Sequence, residues 1–311
     1  MPGIATLKRI AHKLALLFKE TFSEFIDDNA LQLSAALSFY TIFSLPPLLI
    51  IIISITGFFF GTDAVTGRLF WQINGLVGTA AALQIQEVIT NIKLSNSTTF
   101  ATVIGLIVLT IGASSVFSEI QDSVNFIWGI MAKPQRGIVK FLKNRLMSFS
   151  MIGSLGFLLL VGLIVNSLTD VLNSQLAANF PKDAFYLFYA VNIILMFVIT
   201  TFLFTLIFKT LPDGEIALKD CLIGASFTAF LFMIGKFAIG AYLGSSAIAT
   251  VYGAAGSIVL ILLWVYYSAI ILYFGAEFTK VYAHSHGNKI IPNAYSVRVR
   301  KQEVEIEVGK I

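Results

Sequence analysis

LQLSAALSFYTIFSLPPLLIIIISITGFFFG, residues 31–61, contains no Asp, Glu, Lys or Arg. A helix crosses the hydrocarbon of a bilayer with about 20 apolar residues. This run is long enough to span, and it makes the chain a membrane protein. Its middle carries Pro46 and Pro47. Two prolines remove two backbone donors and crowd the carbonyls one turn earlier, near Ile42 and Phe43. In hydrocarbon the freed groups must be satisfied by another helix, a hydroxyl or water, so the break is expected to face protein. Ser34, Ala35, Ala36, Ser38 and Thr41, just ahead of it, are small or hydroxylated and suit close helix contact. The expectation is a central, kinked helix, whose kink either shapes a cavity or serves packing alone.

Composition agrees. The 311 residues are 57% hydrophobic and 12% charged, far from soluble averages. The net charge of +4 does not indicate nucleic acid as a partner, because its location matters more than its total. A single cysteine, Cys221, excludes an intramolecular disulfide and a Cys-based zinc site. The first apolar run is too long for a signal-peptide core and lacks a small-residue cleavage site, so it is expected to be retained.

Ahead of that run, Ile4, Leu7, Ala11, Leu14, Phe18, Phe22 and Phe25 recur at helical spacing with Lys8, Arg9, Lys13 and Lys19 between them. A basic amphipathic helix of this kind lies in the membrane interface, with a partner-binding helix as the alternative. Asp27, Asp28 and Asn29 offer N-cap oxygens for the first span. Beyond it the pattern predicts five further spans, giving 31–61, 99–118, 148–168, 185–208, 221–243 and 253–276. The expected fold is all-α: an amphipathic helix within residues 1–30, six transmembrane helices within 31–283, a helical extracytoplasmic cap between the first two spans, and a tail over 284–311. The second helix is expected to continue past the membrane. There Ser115, Ser118, Glu119, Asp122 and Asn125 share one face, and Phe117, Ile120, Val124 and Trp128 the other. Gly240 and Gly244 form a short GxxxG. Val304–Val308 alternates in the manner of a strand, within a tail expected to be mobile.

Lys and Arg set the orientation. With the amino terminus inside, seventeen fall on the inner side of the membrane and three, Arg68, Lys93 and Lys182, on the outer. By the positive-inside rule both termini are cytoplasmic.

Three stretches then resemble the YihY/BrkB family of bacterial inner-membrane proteins, once labelled ribonuclease BN. One is Ala35-Ala36-Leu37-Ser38-Phe39-Tyr40 followed by Ser44-Leu45-Pro46-Pro47-Leu48. The second is Ser114 to Trp128, around Asp122-Ser-Val-Asn125. The third runs from Tyr252-Gly253 through Leu263-Trp264-Val265-Tyr266 to Gly275-Ala276-Glu277. Pro212 to Tyr242 looks like the family's fifth span and the loop before it. The resemblance covers most of residues 28–283 and implies six helices in a cell inner membrane, in agreement with the spans above.

The old label raises an enzyme. A metal-dependent nuclease gathers His and carboxylate ligands around an activated water, whereas the histidines here are His12, His284 and His286, one in the basic helix and two in the tail. No Ser/His/Asp arrangement, phosphate-cradling loop or HExxH occurs, and neither catalysis nor a cofactor or metal is expected. Polar groups inside membrane segments are costly and usually face protein or a watery cavity. Gln32, Glu119, Asp122 and Glu277, from three spans at similar depth, could line an inner vestibule. Tyr266, Tyr273 and Glu277 share one face of the last span. The plainer alternative is that Glu119, Asp122 and Glu277 mark helix ends in the headgroup zone. Lys236 and Asn192, each about 10 Å from the outer end of its span, could line an outer vestibule favouring anions; otherwise Lys236 snorkels. The expectation is a transporter or channel for an unidentified solute or lipid-like molecule, with a membrane scaffold or envelope assembly factor as the alternative. The bilayer is the one partner the residues specify.

Overall fold

The computed structural model describes residues 2–44, 83, 86, 115–133, 183–245, 256–294 and 296–299. These are mostly helical. Helix α1 is Pro2–Asp27, α2 is Ala30–Ser44, α3 covers 115–127, α4 is Asp183–Thr210, α5 is Leu218–Ser245 and α6 is Gly256–Ser285. Three described segments are long and apolar enough to cross a membrane: Ile193–Thr210, Leu218–Ile239 and Ile258–Ser285. They correspond to the expected fourth, fifth and sixth spans. The described part of the first expected span, α2, is a shorter apolar helix. The Pro46-Pro47 break, nearly all of the second span, the third span and all of the expected cap except helical Leu83 and Gln86 lie outside the described residues.

Apolar side chains cover both faces of the long helices. Ile194, Val198 and Phe202 of α4 stand exposed at successive turns, as do Phe230, Ile234 and Phe237 of α5. Stripes this apolar suit lipid rather than water. Inward, Phe208 of α4, Ala225 and Ala229 of α5, Ala276 of α6 and Val124 of α3 belong to one core cluster.

The α5–α6 contact is built from small residues. A Cβ at Gly224 would run into Thr279, and a Cβ at Gly275 would run into Thr228. Each threonine spends its hydroxyl on the carbonyl one turn back in its own helix, Thr228 Oγ1 to Gly224 at 2.7 Å and Thr279 Oγ1 to Gly275 at 2.6 Å. The two helices thus interlock through reciprocal Gly–Thr pairs, and dispersion contact can replace the hydrophobic drive that lipid removes.

Helix α1 packs against α5 and α6. It carries two stripes: Leu17, Thr21 and Phe25 are buried, while Leu14, Phe18, Phe22 and Ile26 are exposed. Leu17 packs with Phe278 and Val281 of α6, and the Phe18 ring meets Phe227 of α5 edge-on at 5.4 Å. Two residues, Asp28 and Asn29, separate α1 from α2, and Asn29 has φ at 52° in the left-handed region that Asn tolerates. Its carbonyl accepts the first bonds of α2, from Gln32 and Leu33. The hydroxyls of α2 turn back onto their own helix, among them Ser34 to Ala30 at 2.7 Å and Thr41 to Leu37 at 2.7 Å.

Two small ribbons add to the expected all-α fold. Strand β1 (Ile130–Ala132) pairs antiparallel with β4 (Ser296–Arg298), Met131 opposite Val297. Strand β2 (Gly214–Glu215) pairs with β3 (Ile291–Pro292). The segment after α6 therefore closes over the turns that follow α3 and α4. Asn125 and Asp213 fix this layer: Asn125 Nδ2 donates to Asp213 Oδ2 at 3.0 Å, and the Asp213 amide donates to Asn125 Oδ1 at 2.8 Å. The Val304–Val308 alternation lies outside the described residues.

Candidate functional site

Helix α6 does not stop at Ala276. It continues to Ser285, and Gly287, at φ 78°, closes it. Asn288 N–H bonds the Ala283 carbonyl and Gly287 N–H the His284 carbonyl, which is the Schellman pattern. The extra turns carry Glu277 and Lys280, both buried in the protein.

Around Lys280 the described elements converge. Its Nζ lies 2.8 Å from Glu24 Oε2 of α1, 3.5 Å from Asp28 Oδ2 at the α1–α2 joint and 2.7 Å from Glu277 Oε2 one turn earlier. It also donates to the Ile127 carbonyl at the end of α3, at 2.8 Å. That carbonyl sits at the negative end of the helix dipole, where a cation is favoured. Glu277 is fully buried, Asp28 and Lys280 nearly so, and Glu24 half-exposed. Trp128 Nε1 closes one side by donating to the Ala276 carbonyl at 3.1 Å. Three carboxylate oxygens within 4.8 Å of one another could hold a metal ion, but here the ammonium stands among them and takes the cation's place.

One turn before Glu277, Tyr273 is also fully buried. Ser123 and Glu119 of α3 lie near its hydroxyl, which makes no hydrogen bond among the described residues. Ser123 Oγ donates to Glu119 Oε1 at 3.3 Å. Burial pushes the Glu119 carboxyl up, Ser123 pulls it back, and neighbouring Asp122 raises it again. A polar seam thus runs from Glu119 past Tyr273 to the ion cluster, walled by apolar side chains.

Of the residues singled out from sequence, Glu119, Tyr273 and Glu277 belong to this seam. Gln32 and Asp122 are exposed, and Tyr266 is half-buried. The carboxylates that meet Glu277 are Glu24 and Asp28, and Asp28 Oδ2 lies 3.5 Å from Lys280 Nζ. Lys236 is half-buried on α5. Asn192 lies within α4, its side chain outside the description, and Pro46 and Pro47 lie outside it altogether. Lys280 and Glu24 were not foreseen. The available signals were the Glu277/Lys280 spacing, one helical turn, and acidic residues at the end of α1 opposite a basic group that prolongs an apolar helix.

Long apolar helices with lipid-suited faces and a buried ion network define an integral membrane protein. The chain belongs to the Virulence factor BrkB family, whose model matches residues 21–297, so the resemblance seen in Ala35–Tyr40, Ser114–Trp128 and Tyr252–Glu277 is one of membership. It is 28% identical to a UPF0761 membrane protein of Saccharophagus degradans over 287 residues, 90% of this chain and 64% of that one. It is 27% identical to one from Teredinibacter turnerae, covering 91% of this chain and 64% of the relative. A third, from Pseudomonas aeruginosa, is 27% identical over 81% of this chain and 59% of its own length. The chain spans less than two-thirds of these curated relatives. No solved structure matches it.

Proposed function

We propose that the chain is a transporter or channel-like protein of the cell inner membrane, with six spans and both termini cytoplasmic, moving a solute or lipid-like molecule without catalysing a reaction. One observation carries this: Tyr273, Glu277 and Lys280 are polar and buried inside an apolar bundle, with half-buried Glu119 beside them. Such groups are costly in a membrane and mark pathways more often than packing. The seam carries both signs of charge and hydroxyls, which suits a substrate with a polar head and an apolar body. The scaffold alternative draws on the exposed Leu14, Phe18, Phe22 and Ile26 stripe of α1, a surface that a partner helix could cover.

Vesicles reconstituted with the full chain separate the two. An NBD-labelled phospholipid exposed to dithionite reports lipid passage, and entrapped carboxyfluorescein reports solute passage. Transport predicts that one of them moves faster than in protein-free vesicles. Equal rates for both would favour the scaffold.

A further inference from the structure

Beside the ion cluster, oxygens of α3 and α6 gather without a cation. Tyr273 is 0% exposed, and its hydroxyl has no hydrogen-bond partner among the described residues. An orphaned buried hydroxyl costs free energy, and in a native protein such an atom marks a place that water, an ion or a ligand fills. The bond from Trp128 Nε1 to the Ala276 carbonyl, at 3.1 Å, fixes α3 against α6. Further back along α3, Ser123 and Glu119 lie near the Tyr273 hydroxyl. Ser123 is buried and Glu119 half-buried, so the group is closed at Tyr273 and reached past Glu119.

The carboxylate of Glu119 forms no ion pair with a described residue. Its contact with Ser123 Oγ spans 3.3 Å, wider than the ~2.5–3.0 Å of an O–H···O bond. Two oxygens that share a hard cation at about 2.3–2.6 Å, at right angles to each other, stand about 3.3–3.7 Å apart. The spacing of Ser123 Oγ and Glu119 Oε1 suits a shared cation better than a hydrogen bond.

We propose that Glu119, Ser123 and Tyr273 form a binding site for one compact monovalent cation of the size of sodium. All three ligands are oxygens, the donor type that hard cations take. One carboxylate balances one positive charge, whereas divalent sites gather several. Asp122, exposed beside Ser123, adds negative potential at the entrance. A water in this place would pair the Tyr273 hydroxyl but leave the Glu119 charge unbalanced. With the cation bound, the Ser123 O–H turns to the Glu119 carbonyl one turn back and its lone pairs face the ion. Ser34, Thr228 and Thr279 make that backbone bond in this protein. Water entering past Glu119 completes the shell, and the bound ion ties α3 to α6. The site stands on this geometry and does not depend on the transport reading.

The test is equilibrium binding of radioactive sodium to the full chain in detergent, by scintillation proximity, counted per monodisperse protein. A parallel series follows the melting midpoint as sodium chloride replaces choline chloride at constant ionic strength. Wild type should bind close to one sodium per chain, and its midpoint should rise with sodium and level off. Glu119→Gln should abolish both effects. Tyr273→Phe, which keeps the ring, should weaken sodium binding about tenfold or more. Glu20→Gln should leave both unchanged. Because binding is counted per folded protein, a less stable variant does not imitate a lost site. No sodium binding to wild type, or binding that survives both Glu119→Gln and Tyr273→Phe, overturns the site. Displacement of the bound sodium by an equal concentration of calcium overturns the monovalent assignment.

Discussion

Lys280 and Glu24 hold each other at 2.8 Å although 256 residues separate them. The pair fastens the first helix to the last described one, and the same ammonium seals the end of α3 through Ile127. Removing it leaves buried carboxylates without a counter-charge. Lys280→Met is expected to cost about 3–5 kcal/mol, the usual consequence of breaking one side of a buried ion pair. Glu24 is half-exposed, so Glu24→Gln is expected to cost about 1 kcal/mol or less. Heating the detergent-purified protein and following its monodisperse chromatographic peak gives the order. Lys280→Met should melt lowest, Glu24→Gln close to wild type. Equal midpoints for Lys280→Met and wild type would mean the cluster contributes nothing to folding.

The Gly224–Thr279 contact gives a second test. A methyl at Gly224 meets the Thr279 side chain, and overpacking of a close helix contact costs about 1–3 kcal/mol. Gly224→Ala should therefore lower the melting midpoint, and Gly224→Ala with Thr279→Ala should recover part of the loss. The coupling shows in a double-mutant cycle of melting midpoints. Strict additivity would place the two residues out of contact.

Much of this fold can be read from sequence, and the limits have physical causes. Helices α4, α5 and α6 are legible because an uncharged apolar run of that length has few other stable states. Helix α6 runs on beyond Ala276, where the expected sixth span ends, to Ser285. There Lys280 pairs with Glu277 and with Glu24 of α1, and Gly287 closes the helix. The ion pair of Asp28 is not legible locally, because its partner Lys280 lies near the far end of the chain. The ribbons β1–β4 and β2–β3 are two or three residues long, too short for alternation to show. The tight α5–α6 seam hides in Gly224xxxThr228 and Gly275xxxThr279, motifs less conspicuous than the GxxxG at Gly240 and Gly244. Within the site, Glu277 and Tyr273 are visible as polar groups on one helix face. Their partners are not, because long-range pairing leaves no local pattern.

Orientation has its own test. The seventeen-to-three distribution of Lys and Arg predicts that a cytoplasm-only reporter fused after Gly287 is active. The same reporter inserted near Asn96 should be silent. The opposite pattern would invert the proposed sidedness of the membrane, and with it the side from which the seam is reached.

The central claim is that the buried polar seam conducts and does not merely pack. Tyr273→Phe tests it most directly, because it deletes one buried hydroxyl while keeping the ring and its volume. The measurement is flux of the NBD phospholipid and of carboxyfluorescein in vesicles carrying equal amounts of wild-type or Tyr273→Phe protein, alongside the melting midpoint of each. The account predicts at least a several-fold loss of whichever flux the wild type supports, with a midpoint close to wild type. Wild-type flux in Tyr273→Phe, or a flux loss that follows only a fallen midpoint, would contradict it.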